Sequence, residues 1–333
     1  MPPNRTPWLC LITCLALFST TTIAAPQLLH LGQTHPYNFL AYSNTDLTQP
    51  QPATRAIVIL HGVRRNAEDY YRSGLQLLAN AGLNGQDTLL LAPNFLTPRD
   101  STATRDMPLW PKDRWMHGSP STDGQRGIAA FSVLDDLLAY LTDRQRYPHL
   151  REIVLIGHSA GAQLMQRYAV LTDSTPQTPG IAIRYVVSSP STYLYLDSNR
   201  PRQGGFAPLP LGQCPDYNHY RYGLEQAPPY FTRQGLDARQ LFRRYASRDV
   251  TYLVGERDTH ADSKVMDHSC GAEAQGRNRL ERQLDYLRYE GFLSRTWGVA
   301  VAHRQFVIPE AGHDAGHLFA SPSVAEVLFA RKP

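Results

Sequence analysis

Residues 153–161, Ile-Val-Leu-Ile-Gly-His-Ser-Ala-Gly, constrain this chain more than any other stretch. Four consecutive apolar residues, three of them β-branched, predict a short strand buried on both faces. Gly157-His158-Ser159-Ala160-Gly161 follows directly and matches the G-x-S-x-G pattern of a nucleophile elbow. Residues 162–170 are rich in helix formers. The pattern therefore has the context that gives it meaning: strand, sharp turn, helix. Such a turn strains the backbone at Ser159 and pushes its side chain outward. Residues two positions away on either side must be small to avoid colliding across it, and Gly157 and Gly161 are. A helix starting near Ala160 aims its first amides at a negative oxygen forming beside Ser159.

The rest of the chain alternates in the same way. Strands are expected at 34–42 (an edge strand), 55–60, 88–92, 182–188, 250–255 and 305–308. Helices are expected from a cap at Asn66 to about Ala81, and at 128–146, 277–289 and 321–330. This alternation predicts an α/β fold, a mostly parallel central sheet flanked by helices. With 333 residues, 42% of them hydrophobic, the core can be large enough to stand without metals. No linker divides the chain, so residues 26–333 read as one domain. Residues 189–248 break the rhythm. They are rich in Pro, Gly and Tyr, including Tyr193, Tyr195, Tyr217, Tyr220, Tyr222 and Tyr230, with little periodicity. A loop that long is usually functional, so it reads as an aromatic-rich, cap-like insertion over the carboxyl edge of the sheet.

Residues 1–25 stand apart. Arg5 precedes a mostly apolar run over 8–18, a polar stretch over 19–22, and the small pair Ala24-Ala25. This is the layout of a signal peptide, and the run is too short to span a bilayer, so no stable membrane insertion is expected after cleavage. A secreted or periplasmic location follows. Cys10 and Cys14 would leave with that segment. Cys214 and Cys270 remain as an even pair in an oxidising compartment, which invites a disulfide. The net charge of +4 is mild and interspersed, which argues against a nucleic-acid partner.

A serine hydroxyl is a poor nucleophile until a base takes its proton, and that base needs an orienting carboxylate. Two strand ends offer these groups in the order acid, then histidine. The strand at 250–255 runs into Glu256-Arg257-Asp258, and the strand at 305–308 into Pro309-Glu310-Ala311-Gly312-His313. Glu256 and Asp197 are rival acids and His317 a rival base. His158 reads as a packing residue. His260, Asp262, Asp267 and His268 are metal-ligand types, but no H-E-x-x-H pattern accompanies them, and no metal is expected.

Leu60-His61-Gly62, the elbow, residues 253–258 and Ala311-Gly312-His313-Asp314 together resemble the landmarks of the α/β-hydrolase superfamily, the serine esterases and lipases in particular. The resemblance covers nearly all of residues 26–333. It implies Ser159 as nucleophile, Asp258 as orienting acid and His313 as general base. It also implies an oxyanion hole at the backbone amides of Val63 and Ala160. The activity it implies is hydrolysis of a small or polymeric carboxylic ester through an acyl-enzyme, with no cofactor. A peptidase or acyltransferase with the same triad is the alternative. A non-catalytic binding protein is a third reading, against which the intact triad speaks.

Overall fold

The computed structural model describes residues 25–173 and 179–329. The expected signal segment, residues 1–25, lies outside the described residues except for Ala25. In chain order the elements are β1 (Gln27–Leu31), β2 (Tyr37–Ser43), β3 (Arg55–Leu60), α1 (Ala67–Asn80) and β4 (Thr88–Pro93). After these come the short β5 (Pro108–Leu109), a 3-10 turn at Asp113–His117, β6 (Asp123–Gly124), α2 (Ala130–Thr142), β7 (Glu152–His158), α3 (Ala160–Leu171) and β8 (Ala182–Ser188). The last part holds the hairpin of β9 (Asn199–Arg202) and β10 (Gly205–Pro208), then α4 (Pro229–Thr232), α5 (Ala238–Ala246), β11 (Asp249–Gly255) and α6 (Cys270–Glu273). It ends with α7 (Arg279–Trp297), β12 (Arg304–Ile308), α8 (Ala315–Ala320) and α9 (Pro322–Phe329).

Among the described residues, eight strands form the main sheet in the order β1-β2-β4-β3-β7-β8-β11-β12. The pairs β1–β2 and β2–β4 are antiparallel. Every pairing from β4 to β12 is parallel. Parallel strands covered on both faces need apolar residues at every position, and the sheet meets that need by alternation. Ala56, Val58 and Leu60 join a core that includes Phe131, Leu134 and Tyr168 on one face. Ile57 and Ile59 join a second core with Tyr70, Leu77, Leu318 and Phe319 on the other. In β7, Ile153 and Leu155 face the first core, and Val154 and Ile156 face the second. The sheet is therefore a wall between two packed helix layers, and the loops at its carboxyl edge are the parts free to carry chemistry.

Three local expectations need correction. Asn66 makes no side-chain cap to α1; its amide donates to Asp69 at 2.7 Å instead. The edge strand begins at Tyr37, and β1 lies outside it, pairing Leu29 with Phe39. Helix α7 runs to Trp297, well past Tyr289. The segment at 189–248 holds a hairpin and two helices. Its Tyr193 and Tyr195 are buried, stacked on Tyr286 at 4.5 Å and packed on Tyr289 at 4.4 Å. Cys214 and Cys270 are disulfide-bonded, which ties this segment to the start of α6. Among the described residues, no helix is long and apolar enough to cross a membrane.

Candidate active site

Ser159 sits at the end of β7 with φ +56° and ψ −116°, in the left-handed region that a side chain rarely occupies. Its amide donates to Ser188 O at 2.9 Å, and its carbonyl accepts from Gln163 N at 3.1 Å. The two flanking glycines are required by close approach. A methyl group at Gly157 would lie 2.3 Å from Gly161 O, and one at Gly161 would lie 2.6 Å from His61 O. The turn is thus packed so tightly that the strain at Ser159 is held from both sides.

Parallel pairing of β11 with β12 brings the other two residues together. Gly255 lies opposite Ile308, so the loops that follow start side by side. Glu256 N donates to Ile308 O at 2.9 Å and Arg257 N to Ala311 O at 2.8 Å. His313 then reaches back. Its Nε2 lies 3.0 Å from Ser159 Oγ, and its Nδ1 lies 2.8 Å from Asp258 Oδ2. Asp258 is 2% exposed, while the His313 side chain is 26% exposed. Burial pushes the Asp258 carboxyl up, but the hydrogen bond and charge of His313 and the charge of Arg279 outweigh it and hold it below its ordinary range.

The rivals are engaged elsewhere. Glu256 accepts from Glu310 N at 2.9 Å. Asp197 accepts from Tyr289 OH at 2.9 Å and holds Asn199. His317 is exposed beside Asp314. Asp267 is held by Arg221 and Tyr222, and His268 contacts Glu273 and Ser263 O. Among the described residues, no three of the His, Cys, Asp or Glu side chains converge as a metal site would require.

The ground beneath the site is aromatic. His158 is fully enclosed, with its ring 4.9 Å from that of His313 and its Nδ1 hydrogen-bonded to Tyr70 OH at 2.9 Å. Burial, and then the charges of His313 and Arg279, push its pKa far below the ordinary value, so it packs as a neutral ring. His61 braces the loop after β3. Its Nδ1 donates to Gly62 O at 2.8 Å and its Nε2 accepts from Phe95 N at 3.0 Å, a pattern that needs one proton only. Burial lowers its pKa to about 4. Arg65, at φ +58°, donates to the carbonyls of Phe95, Trp110 and Lys112 and fixes the same loop. Gly62 is thereby held against the serine: a methyl group there would lie 3.5 Å from Ser159 Cβ and 3.8 Å from its Oγ. Val63 follows Gly62, and Ala160 is the first residue of α3.

Sequence reasoning missed the bracing by His61 and Arg65, and it missed Arg279. Nothing local in the sequence sets Arg65 or Arg279 apart from a solvated arginine. Arg279 is 1% exposed, and its Nη1 lies 3.5 Å from Asp258 Oδ1.

Residues 57–327 match the model of the alpha/beta hydrolase family. Two solved structures share the architecture. Poly(aspartic acid) hydrolase-1 from Sphingomonas sp. KT-1 is 18% identical with a TM-score of 0.63, over 92% of this chain and 98% of that one. LpqC, a poly(3-hydroxybutyrate) depolymerase from Bordetella parapertussis, is 19% identical with a TM-score of 0.63, over 93% of this chain and 92% of that one. No curated protein matches the sequence.

Proposed function

The chain belongs to the alpha/beta hydrolase family, and from that premise we propose that it is a serine hydrolase cleaving carboxylic esters through an acyl-enzyme. One observation carries the reading: a strained serine hydroxyl 3.0 Å from a histidine whose other nitrogen lies 2.8 Å from a buried aspartate. Ser159 Oγ gives its proton to His313 Nε2 as it attacks the ester carbonyl. The tetrahedral oxyanion faces the amides of Val63 and Ala160, a placement supported by the contact of Gly62 with the serine and by the N-terminus of α3. The alcohol leaves with the proton from His313. Water, deprotonated by the same nitrogen, then releases the acid and frees Ser159. Asp258 keeps His313 in the tautomer that accepts at Nε2.

Residues 26–333 act as one hydrolase domain, with 189–248 as an insertion that walls the carboxyl edge. Release from the cytoplasm, into the periplasm or the medium, agrees with the disulfide between Cys214 and Cys270. The two neighbours named above act on polymers, but at under one fifth identity they carry the fold and not the substrate. The test is a panel of esters of graded acyl length, with the matching amides alongside. Esters turned over faster than amides support the reading. Amides turned over faster would make the protein a peptidase or amidase.

A further inference from the structure

Arg279 opens α7, where its side chain is sealed from water. A buried guanidinium needs a counter-charge, and the carboxylate acting on this one is Asp258. Nη1 lies 3.5 Å from Asp258 Oδ1, and Nη2 donates to Val265 O at 3.2 Å. Its Nε has no partner. The next buried arginine on the helix, Arg282, has an acid of its own in Glu273, at 3.3 Å. The backbone joins the same contact, since Leu280 N donates to Asp258 O at 3.2 Å. The first turn of α7 therefore grips residue 258 through both main chain and side chain. The aspartate has two oxygens and two claimants: Oδ2 faces His313, and Oδ1 faces the cation Arg279.

This division has a chemical consequence. A buried carboxylate paired with a histidine alone would draw a second proton onto the ring, and an imidazolium cannot accept the serine proton. A second, permanent cation on the other oxygen takes up part of that charge. We infer that Arg279 is a positioning residue of the triad: it keeps Asp258 ionised and aimed at His313 Nδ1, and it shares the aspartate's charge so that His313 Nε2 stays free to act as a base. The inference rests on the triad reading given above.

The groups that face this pair are few. Asp258 meets His313 from the loop after β12, Arg279 from α7, and Ser189 from the end of β8. His313 meets Ser159 and the neutral His158 from the elbow, with Tyr70 of α1 behind His158 and Asp314 beside it on its own loop. Arg279 is the fixed cation in that set.

The experiment compares Arg279→Met and Arg279→Lys with the unmodified protein, reading kcat/KM against pH on the best ester of the panel. Arg279→Met is expected to move the acidic limb of kcat/KM upward by about one pH unit. Arg279→Lys, which keeps the charge, should return the limb most of the way. An unmoved limb in a folded Arg279→Met would overturn the inference, even if overall activity fell. A second measurement covers the case in which Arg279→Met does not fold. Asp258→Asn strands the buried guanidinium and should lower Tm, and adding Arg279→Met to Asp258→Asn should restore much of the loss. No restoration would also overturn the pairing. Failure of the triad reading looks different: turnover or serine-probe labelling that persists in Ser159→Ala sinks that reading whatever Arg279 does.

Discussion

Two histidine–carboxylate pairs lie on opposite edges of the same sheet, and they differ in what the second ring nitrogen meets. At the carboxyl edge His313 Nδ1 is 2.8 Å from Asp258, and its Nε2 faces the Ser159 hydroxyl. At the amino edge His303, just before β12, has Nδ1 2.9 Å from Glu290, and its Nε2 lies 3.2 Å from the Tyr245 carbonyl. A hydroxyl can donate, so His313 needs one proton only. A carboxylate and a carbonyl can only accept, so the geometry at His303 calls for both protons. Exposure agrees with this division. The His313 side chain is 26% exposed, whereas His303 and Glu290 are 1% and 3% exposed. Glu290 also accepts from Tyr252 OH at 2.7 Å, and Tyr252 is bonded to Tyr245. Nearly equal distances thus build two different devices. One pair has a free, reachable nitrogen; the other is sealed and fully satisfied. A histidine beside a carboxylate is therefore no sign of catalysis until the other nitrogen is accounted for.

The comparison breaks most sharply at the serine. Ser159→Ala should lower kcat by about 10⁶-fold and abolish labelling by a fluorophosphonate probe. The fold should persist, because the substitution removes only an oxygen. Labelling that survives would remove Ser159 from the chemistry. Asp258→Asn comes next, at about 10⁴-fold in turnover, because the amide leaves His313 in the wrong tautomer. If Asp197→Asn produced that loss instead, the acid would lie after β8, in spite of its bond to Tyr289.

How much of this was readable beforehand depends on what each residue does. The strands β3, β4 and β7 were legible because a parallel strand buried on both faces must be a near-continuous apolar run, and β8 and β11 from shorter apolar stretches beside Arg184 and Thr251. The elbow was legible because collision across its turn excludes all but small residues, as the 2.3 Å approach at Gly157 illustrates. β1 was not, since it is a short edge strand that opens on Gln27 and is interrupted by His30. α5 did carry a signal: Asp237 and Gln240 form a capping box, hidden in a segment read as irregular. The far end of α7 was obscured by Gly291, Ser294 and Thr296, poor helix formers that packing overrides. Arg279 left no trace, because nothing local tells a buried arginine from a solvated one. The partners of Ser159 could be named in order from the strand ends. The bracing of their loops by His61 and Arg65 depends on contacts distant in sequence.

At the other pair the loss should fall on stability. Glu290→Gln removes the carboxylate that faces the His303 ring and accepts from Tyr252, whose hydroxyl is in turn bonded to Tyr245. The cost should be about 3–5 kcal/mol of unfolding free energy, the usual result of breaking one side of a buried ion pair. Urea unfolding measures it. At a temperature where the variant is folded, kcat/KM should be unchanged, since Glu290 lies at the amino edge of the sheet. A large fall in kcat/KM without a fall in stability would mean that the two edges are coupled, and the division drawn above would fail.

The smallest effect is a difference in sign with pH. At His303, burial is the largest single influence and pulls the pKa down. The charge and hydrogen bond of Glu290, the Tyr245 carbonyl and the charge of Asp249 together outweigh it, and the net shift is upward. In the unfolded chain the ring returns to about 6.5. Where the folded state binds the proton more tightly, stability is fully present below the unfolded value and is lost as pH rises through the folded one. In the proposed mechanism His313 works in the opposite sense: a base must be unprotonated to act, so kcat/KM should climb on leaving acid pH. Raising the pH from about 6.5 should therefore reduce the contribution of His303 to stability without a parallel loss of activity. The check is urea unfolding across that window for the unmodified protein and for His303→Gln, with kcat/KM read on the same samples. The unmodified protein should lose stability with rising pH, and the variant, less stable throughout, should show a flatter profile. An equal decline in His303→Gln would assign the pH dependence to another group and leave His303 a neutral packing residue, chemically the same as His313 and different only in being sealed.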